Sequence, residues 1–390
     1  MSNTADLSTS VPSATAPSDA RHGTGDAGAP VVFVGALPPP VTGMTAMTAV
    51  IVDALRRQGP VTCFNWSRGK PMKGWRWKAA RTWGALKSLV GLAGRGPARG
   101  AVLYYPVSSG AGLYNDLAIA AVARLLGYRL VLHHHSYVYI NRRDWRVALL
   151  DRLVGAKGAH AVHCELMRQH FLAQYESRAD FLFVPPTIVS QQLDTAGSRS
   201  PSSADFVLGF MSNLTITKGV DDAIATFERL ARSGRRVRLI LAGPCMAAAD
   251  RELVDQALAR WPEQIEYRGP VYGREKGQFF ADVDVFLFPT RYVHESWGIV
   301  LTEALSVGCP VVTRSRGCVP WIVRNGCGYV IEDGVDFPTA AAEHVIRWME
   351  EPAEFAAARA AATRRSIELE QDATIELPAF VDRVRSRRQA

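Results

Sequence analysis

The stretch Phe286-Leu287-Phe288-Pro289-Thr290-Arg291-Tyr292-Val293-His294-Glu295-Ser296-Trp297-Gly298-Ile299-Val300-Leu301-Thr302-Glu303-Ala304-Leu305-Ser306-Val307-Gly308-Cys309-Pro310-Val311-Val312 decides the fold. An apolar run ends at Pro289, which cannot donate to a ladder, so a strand over Val285–Pro289 stops there. A polar loop follows, and from Gly298 the apolar positions take a helical spacing to about residue 307. Gly308 and Pro310 close that helix, and Val311-Val312-Thr313 starts a second strand. A strand, a crossover helix and a strand make one parallel βαβ unit.

The same alternation extends in both directions. Strand runs are expected at Val31–Gly35, Val61–Phe64, Ala101–Tyr105, Leu130–His133, Ala159–His163 and Phe181–Val184, with helices between them. Beyond the polar, Ser-rich stretch Gln191–Ala204 it restarts at Phe206–Met211, Val237–Ala242 and Ile265–Tyr267 and continues to Tyr329–Ile331. The organisation expected is a disordered tail over 1–30, an N-terminal α/β domain over 31–190, a linker over 191–204 and a C-terminal α/β domain over 205–370. Two helical segments, 353–364 and 371–386, close the chain, with 371–390 able to pack back on the N-terminal domain. Two doubly wound domains on a flexible link face each other across a cleft, a common ligand site.

Composition is that of a globular protein, 48% hydrophobic and 21% charged. It excludes collagen, coiled coil, a wholly disordered chain and a membrane-spanning helix. The six cysteines are too sparse for a disulfide scaffold. The first thirty residues lack the apolar core of a secretory signal, and a reducing cytoplasm is the expected compartment. The net charge of +8 is unevenly placed: no acidic residue lies between Asp53 and Asp116, a stretch rich in Arg, Lys and Trp. On a helical wheel Trp75, Ala79, Trp83, Leu86 and Val90 share one side, opposite Lys73, Arg76, Arg81 and Lys87. With Trp77 and Lys78, this pattern is expected to lie on an anionic membrane surface. A solvated helix and a nucleic-acid contact are the competing readings, and no nucleic-acid module is recognisable elsewhere.

Chemistry concentrates in two loops. Gly298 opens a helix whose first amides and dipole favour an anion, and Glu295 and Glu303 flank that start at different depths. In Ser212-Asn213-Leu214-Thr215-Ile216-Thr217-Lys218-Gly219, a strand runs into a Lys-Gly at a helix start, where the ammonium can reach a phosphate. Capping and solvent exposure are the bland readings of these residues.

Together the two loops resemble the retaining nucleotide-sugar glycosyltransferases of family 4, which have the GT-B fold. The resemblance rests on Glu295 and Glu303 with seven residues between them, on Gly298, on Gly308-Cys309-Pro310-Val311-Val312 and on Lys218-Gly219. It implies that Glu303 binds ribose hydroxyls and Glu295 hydroxyls of the donor sugar. Lys218 and the amides around Gly298 and Ile299 would then face the diphosphate. Asn213 stands where the family often has Arg, and Pro320-Trp321 where it often has Pro-Glu. The loop carrying Gly43 would approach the diphosphate or the acceptor. Of Leu132-His133-His134-His135, alternation puts His133 and His135 on one face, and the resemblance implies that His135, with His133 as runner-up, lies near the transferred sugar. No carboxylate or cysteine accompanies these histidines at metal-ligand spacing, and no metal or other cofactor is expected. The expectation is sugar transfer from a nucleoside diphosphate sugar to a lipid-linked glycan in cell-surface polysaccharide assembly, at the inner face of the membrane. A GT-B-type nucleotide-sugar epimerase and a non-catalytic sugar-nucleotide or membrane-binding protein are the alternatives.

Overall fold

The computed structural model describes residues 28–67, 74–190, 193 and 205–387, without the side chains of 74–78. The N-terminal half forms a parallel sheet from β1 (Val31–Gly35), β2 (Val61–Asn65), β3 (Val102–Val107), β4 (Arg129–His134), β5 (Ala159–Val162) and β6 (Asp180–Phe183), in the order β2-β1-β3-β4-β5-β6. The C-terminal half repeats the design with β7 (Phe206–Met211), β8 (Val237–Ala242), β9 (Ile265–Tyr267), β10 (Val285–Phe288), β11 (Val311–Arg314) and β12 (Gly328–Ile331), in the order β12-β11-β10-β7-β8-β9. Strands β1, β3 and β10 are buried along their whole length. That is the consequence of helices covering both faces, and it explains why these strands read as continuous apolar runs.

Strand order decides where a ligand can sit. In the second sheet β7 lies between β8 and β10, so the connections leaving β7 and β10 diverge to opposite faces. They leave a crevice outside the strands' carboxyl ends. The loops that open this crevice are Ser212–Gly219 and Pro289–Gly298, the two singled out by sequence. In the first sheet the same divergence falls at β1 and β3. There the loop after β1 enters the helix Gly43–Arg57, capped by Thr42 and Thr45 in a reciprocal capping box.

The end of the chain differs from the sequence expectation. The segments 353–364 and 371–386 are one helix, Pro352–Arg385, that runs through Pro378. Pro378 removes one helical hydrogen bond, yet the helix continues because packing holds both sides of it. Phe380, Val381 and Val384 belong to the apolar cluster under β1 and β3. The buried Arg385 guanidinium donates to the carbonyls of Ala29, Leu55, Gly59 and Pro60 at 2.7–3.3 Å. Arg129 Nη2 in turn donates to the Val384 carbonyl at 2.6 Å, and Arg383 pairs with Asp180. A helix that starts on the second domain is thus bolted to the first.

Candidate active site

A cavity of about 430 Å³ fills the crevice between the Ser212–Gly219 and Pro289–Gly298 loops. Asn213, Lys218, Glu295, Gly298, Ile299 and Glu303 all line it, so all six residues expected on the donor side meet in one place. Lys218 ends a 3₁₀ turn, Ile216–Lys218, capped by the Thr215 side chain. Gly219 follows at φ +87°, and a Cβ there would lie 2.4 Å from the Pro289 carbonyl oxygen. Only glycine permits this approach, and it brings the β7 loop against the β10 loop. As a result Lys218 Nζ donates to Glu295 Oε2 at 2.7 Å and lies 4.3 Å from the centre of the Tyr292 ring. Thr290 Oγ1 donates to the same carboxylate oxygen at 3.3 Å.

Glu303 occupies the deeper end. It is 3% exposed, one turn and a half into the helix Ile299–Ser306 that Gly298 opens at φ +75°. Lys276 Nζ donates to its Oε1 at 2.5 Å, while Oε2 is buried with no partner. Burial pushes the Glu303 carboxyl above the usual range, and Lys276 acts in the opposite direction. An ionised, half-satisfied buried carboxylate is costly, and its free oxygen is a ready acceptor for ligand hydroxyls. Lys276 comes from the helix Gly273–Asp282. It belongs to the site but was missed in the sequence, where a lysine on an exposed-looking helix carries no signal. The N-terminal domain closes the other side. Gly43 sits so near the helix start that a Cβ there would touch Ile299 Cδ1 at 3.4 Å, and a further cavity of about 230 Å³ joins Thr42 and Gly43 to Lys276, Ile299 and Glu303.

Residues 196–366 match the family model of glycosyl transferases group 1. That stretch is similar to a group 1 glycosyltransferase domain. Among curated proteins it is 26% identical over 139 residues to the capsular polysaccharide biosynthesis glycosyltransferase CapM of Staphylococcus aureus, covering 35% of each chain. It is 29% identical over 220 residues to glycogen synthase of Mycobacterium tuberculosis, covering 53% of this chain and 51% of that one. The chain therefore spans about a third to a half of the length of these relatives. Two solved structures share the whole fold. One is a sucrose-phosphate synthase from Thermosynechococcus elongatus, with TM-score 0.66, 12% identity and coverage of 90% and 97% of the two chains. The other is HepE of Anabaena in complex with UDP, with TM-score 0.60, 16% identity and coverage of 90% and 99%. The architecture is the expected GT-B arrangement.

Across the cleft from this domain, the histidines of β4 divide as strand alternation requires. His134 Nε2 lies 2.8 Å from His160 Nδ1, whose other ring nitrogen meets Asp151 at 2.9 Å. His133 and His135 share the other face, with ring centres 3.9 Å apart, and His163 lies beside both. Burial and the neighbouring imidazoles hold the His133 and His135 rings neutral, well below the ordinary histidine range. The domains also touch where Ser136 Oγ meets His294 Nδ1 at 2.9 Å. His294 is a cleft residue that the sequence reading left out, although it adjoins Glu295. Among the described residues no group of three or more His, Cys, Asp or Glu is arranged to hold a metal ion.

The basic, Trp-rich segment forms the helix Gly74–Gly94. The side chains of Trp75, Trp77 and Lys78 lie outside the described residues. Trp83, Leu86 and Val90 are exposed, while Ala85, Ser88 and Leu92 face the core. One wheel assignment changes. Lys87 sits on the exposed side, 5.6 Å from the Trp83 ring, because residues four apart share a face. Arg81 stays opposite Trp83, on the side that faces the domain, and donates to Ser108 Oγ at 2.5 Å. There Ser108 and Tyr105 donate to Asp116, whose burial raises its carboxyl to about 6. Tyr114 and Trp145 are exposed neighbours on the same domain, close to Arg142 and Arg143. No described helix is long and apolar enough to cross a membrane.

Proposed function

We propose that the protein transfers a sugar from a nucleoside diphosphate sugar to an acceptor hydroxyl in the cleft, with retention of configuration. The observation that carries this reading is one cavity holding an anion-favouring helix start, a lysine beside it and a buried carboxylate with a free oxygen. Glu303 accepts from the ribose hydroxyls. Lys218, the amides at Gly298 and Ile299 and the helix dipole meet the charge of the departing diphosphate, the main catalytic term. These groups take the place a metal would fill, so transfer survives a chelator. Without donor, Lys218 and Glu295 neutralise each other; donor binding turns the lysine to phosphate and frees Glu295 for sugar hydroxyls. Asn213 adds a neutral amide to the same wall. Gly43 lets the first domain's loop close on the site, and His135 is the first domain's proposed contact to the transferred sugar. The structural neighbour in complex with UDP supports uridine nucleotides as the first donors to try.

The acceptor proposed is a lipid-linked glycan, reached by a protein resting on the cytoplasmic face of an anionic membrane. The exposed Trp83, Leu86, Val90, Tyr114 and Trp145, interspersed with Lys87, Arg142 and Arg143, support this. The relative named for capsular polysaccharide biosynthesis supports the same product class. The test incubates purified protein with UDP-sugars and a membrane lipid extract, with and without chelator. Radiolabel in the lipid phase is the expected result. A new sugar nucleotide formed without acceptor would select an epimerase, and no turnover of any donor would end the reading. Co-sedimentation with phosphatidylglycerol vesicles, but not with phosphatidylcholine vesicles, tests the membrane face.

A further inference from the structure

A third cavity, of about 210 Å³, lies between the domains behind the donor loop. Its walls come from three places: His163 and Glu165 after β5, Trp297 and Trp321 from the C-terminal domain, and Asp372 and Glu376 from the last helix. Trp297 is one residue before Gly298, so this cavity and the donor cavity share a loop. Two wall residues are buried yet incomplete. Trp297 is 2% exposed and its Nε1–H has no acceptor; His163 is 2% exposed and its Nδ1 has no partner. Burial lowers the His163 ring to about 4, against the Val184 backbone, which acts in the opposite direction, and a neutral imidazole carries one acceptor nitrogen. Asp372 and Glu376 add carboxylates, and Asp372 together with burial pushes the Glu376 carboxyl up.

This wall discriminates between ligand classes. An anion would satisfy the indole N–H but would meet the carboxylates. An ammonium would satisfy the carboxylates and His163 but offers nothing to the indole N–H. A hydroxyl both donates and accepts, and several hydroxyls on one ring can serve His163, Trp297, Asp372 and Glu376 together. The cavity is smaller than the roughly 300–1,000 Å³ of drug-sized sites, which suits a single ring, and indole surfaces give such a ring apolar walls. We infer that this cavity is a neutral-pyranose subsite, holding a sugar unit of the acceptor glycan beside the donor loop; its place in transfer rests on the proposed function, its sugar binding does not.

The test uses the full chain and saturation-transfer NMR with methyl glycosides of glucose, galactose, mannose and N-acetylglucosamine, and with glucosamine as the cationic arm. UDP binding is titrated in parallel. At least one neutral glycoside is expected to bind, and Asp372→Ala with Glu376→Ala is expected to weaken it at least tenfold while the UDP dissociation constant moves less than twofold. Those two positions are partly exposed and mutually repelling, so the double variant keeps its fold; Trp321→Ala is expected to act in the same direction. Three results would overturn the subsite: no glycoside bound, so that water alone fills the cavity; glycoside binding indifferent to the substitutions; or preference for glucosamine over every neutral sugar. Glycoside binding that responds to the substitutions, in a protein that does not bind UDP, supports the subsite and overturns the donor assignment instead.

Discussion

Replacing Glu303 by Gln changes one atom and tests the nucleotide site directly. The carboxylate is buried, with Oε1 held by Lys276 at 2.5 Å and Oε2 unpartnered. A hydrogen bond to a charged acceptor is worth about 1.5–3 kcal/mol, a neutral one about 0.5–1.5. The exchange therefore costs on the order of 1–1.5 kcal/mol, about tenfold in affinity at about 1.4 kcal/mol per decade. The assay is calorimetric titration of UDP and of its 2′,3′-dideoxy analogue into both proteins. The substitution should weaken UDP about tenfold and leave the dideoxy nucleotide within about twofold, a coupling of about 1 kcal/mol. Any effect of the unpaired Lys276 enters both titrations and cancels. Equal losses for the two nucleotides would refute the contact between Glu303 and the ribose. Because burial already disfavours the Glu303 charge, the unliganded variant should melt no lower than the parent protein.

Other outcomes follow from the same structure. Lys218→Ala removes the cation at the helix start; at an effective dielectric near 20 and about 4 Å a unit charge pair is worth roughly 4 kcal/mol. Turnover should fall about a thousandfold, and a loss under tenfold in kcat/KM would remove the lysine from the chemistry. Asp116 is raised from 3.8 to about 6 in the folded protein, so its ionisation opposes folding. Stability through this group is full below about pH 4 and is lost as pH rises through about 6. The span is about 3 kcal/mol at 1.36 kcal/mol per unit, read as the difference between urea unfolding of the parent and of Asp116→Asn across that range. A flat difference would sink the assignment. Arg385→Ala leaves four carbonyl partners without their donor. It should cost about 3 kcal/mol or more in denaturant unfolding, and a cost under 1 kcal/mol would mean that the final turn does not hold the domains.

Much of the fold was legible because parallel strands buried on both faces are apolar throughout, and β1, β3 and β10 show that without ambiguity. Lys218, Glu295 and Glu303 could be placed near one another because the loops that carry them follow strands that adjoin at a switch point. Pairings that depend on tertiary approach were not legible. Lys276 stands 27 positions from Glu303, and no periodicity connects them. Lys87 was put on the wrong side although it stands four residues from Trp83, and Arg81, opposite Trp83 as expected, meets Ser108 because the wheel does not tell which side the domain covers. The last helix was split at 365–370, where Arg365 and Ser366 interrupt the apolar pattern; both are buried in the fold and the helix runs on through them.

That last helix also constrains how the protein can move. The chain returns from the second lobe to the first as a helical strut whose end is riveted by Arg385 and Arg129. A strut fixed at both ends resists sliding and yields only by bending. Any opening of the cleft must bend this strut, with Pro378, where one helical hydrogen bond is missing, its softest place, and Asp372 and Glu376 move with it.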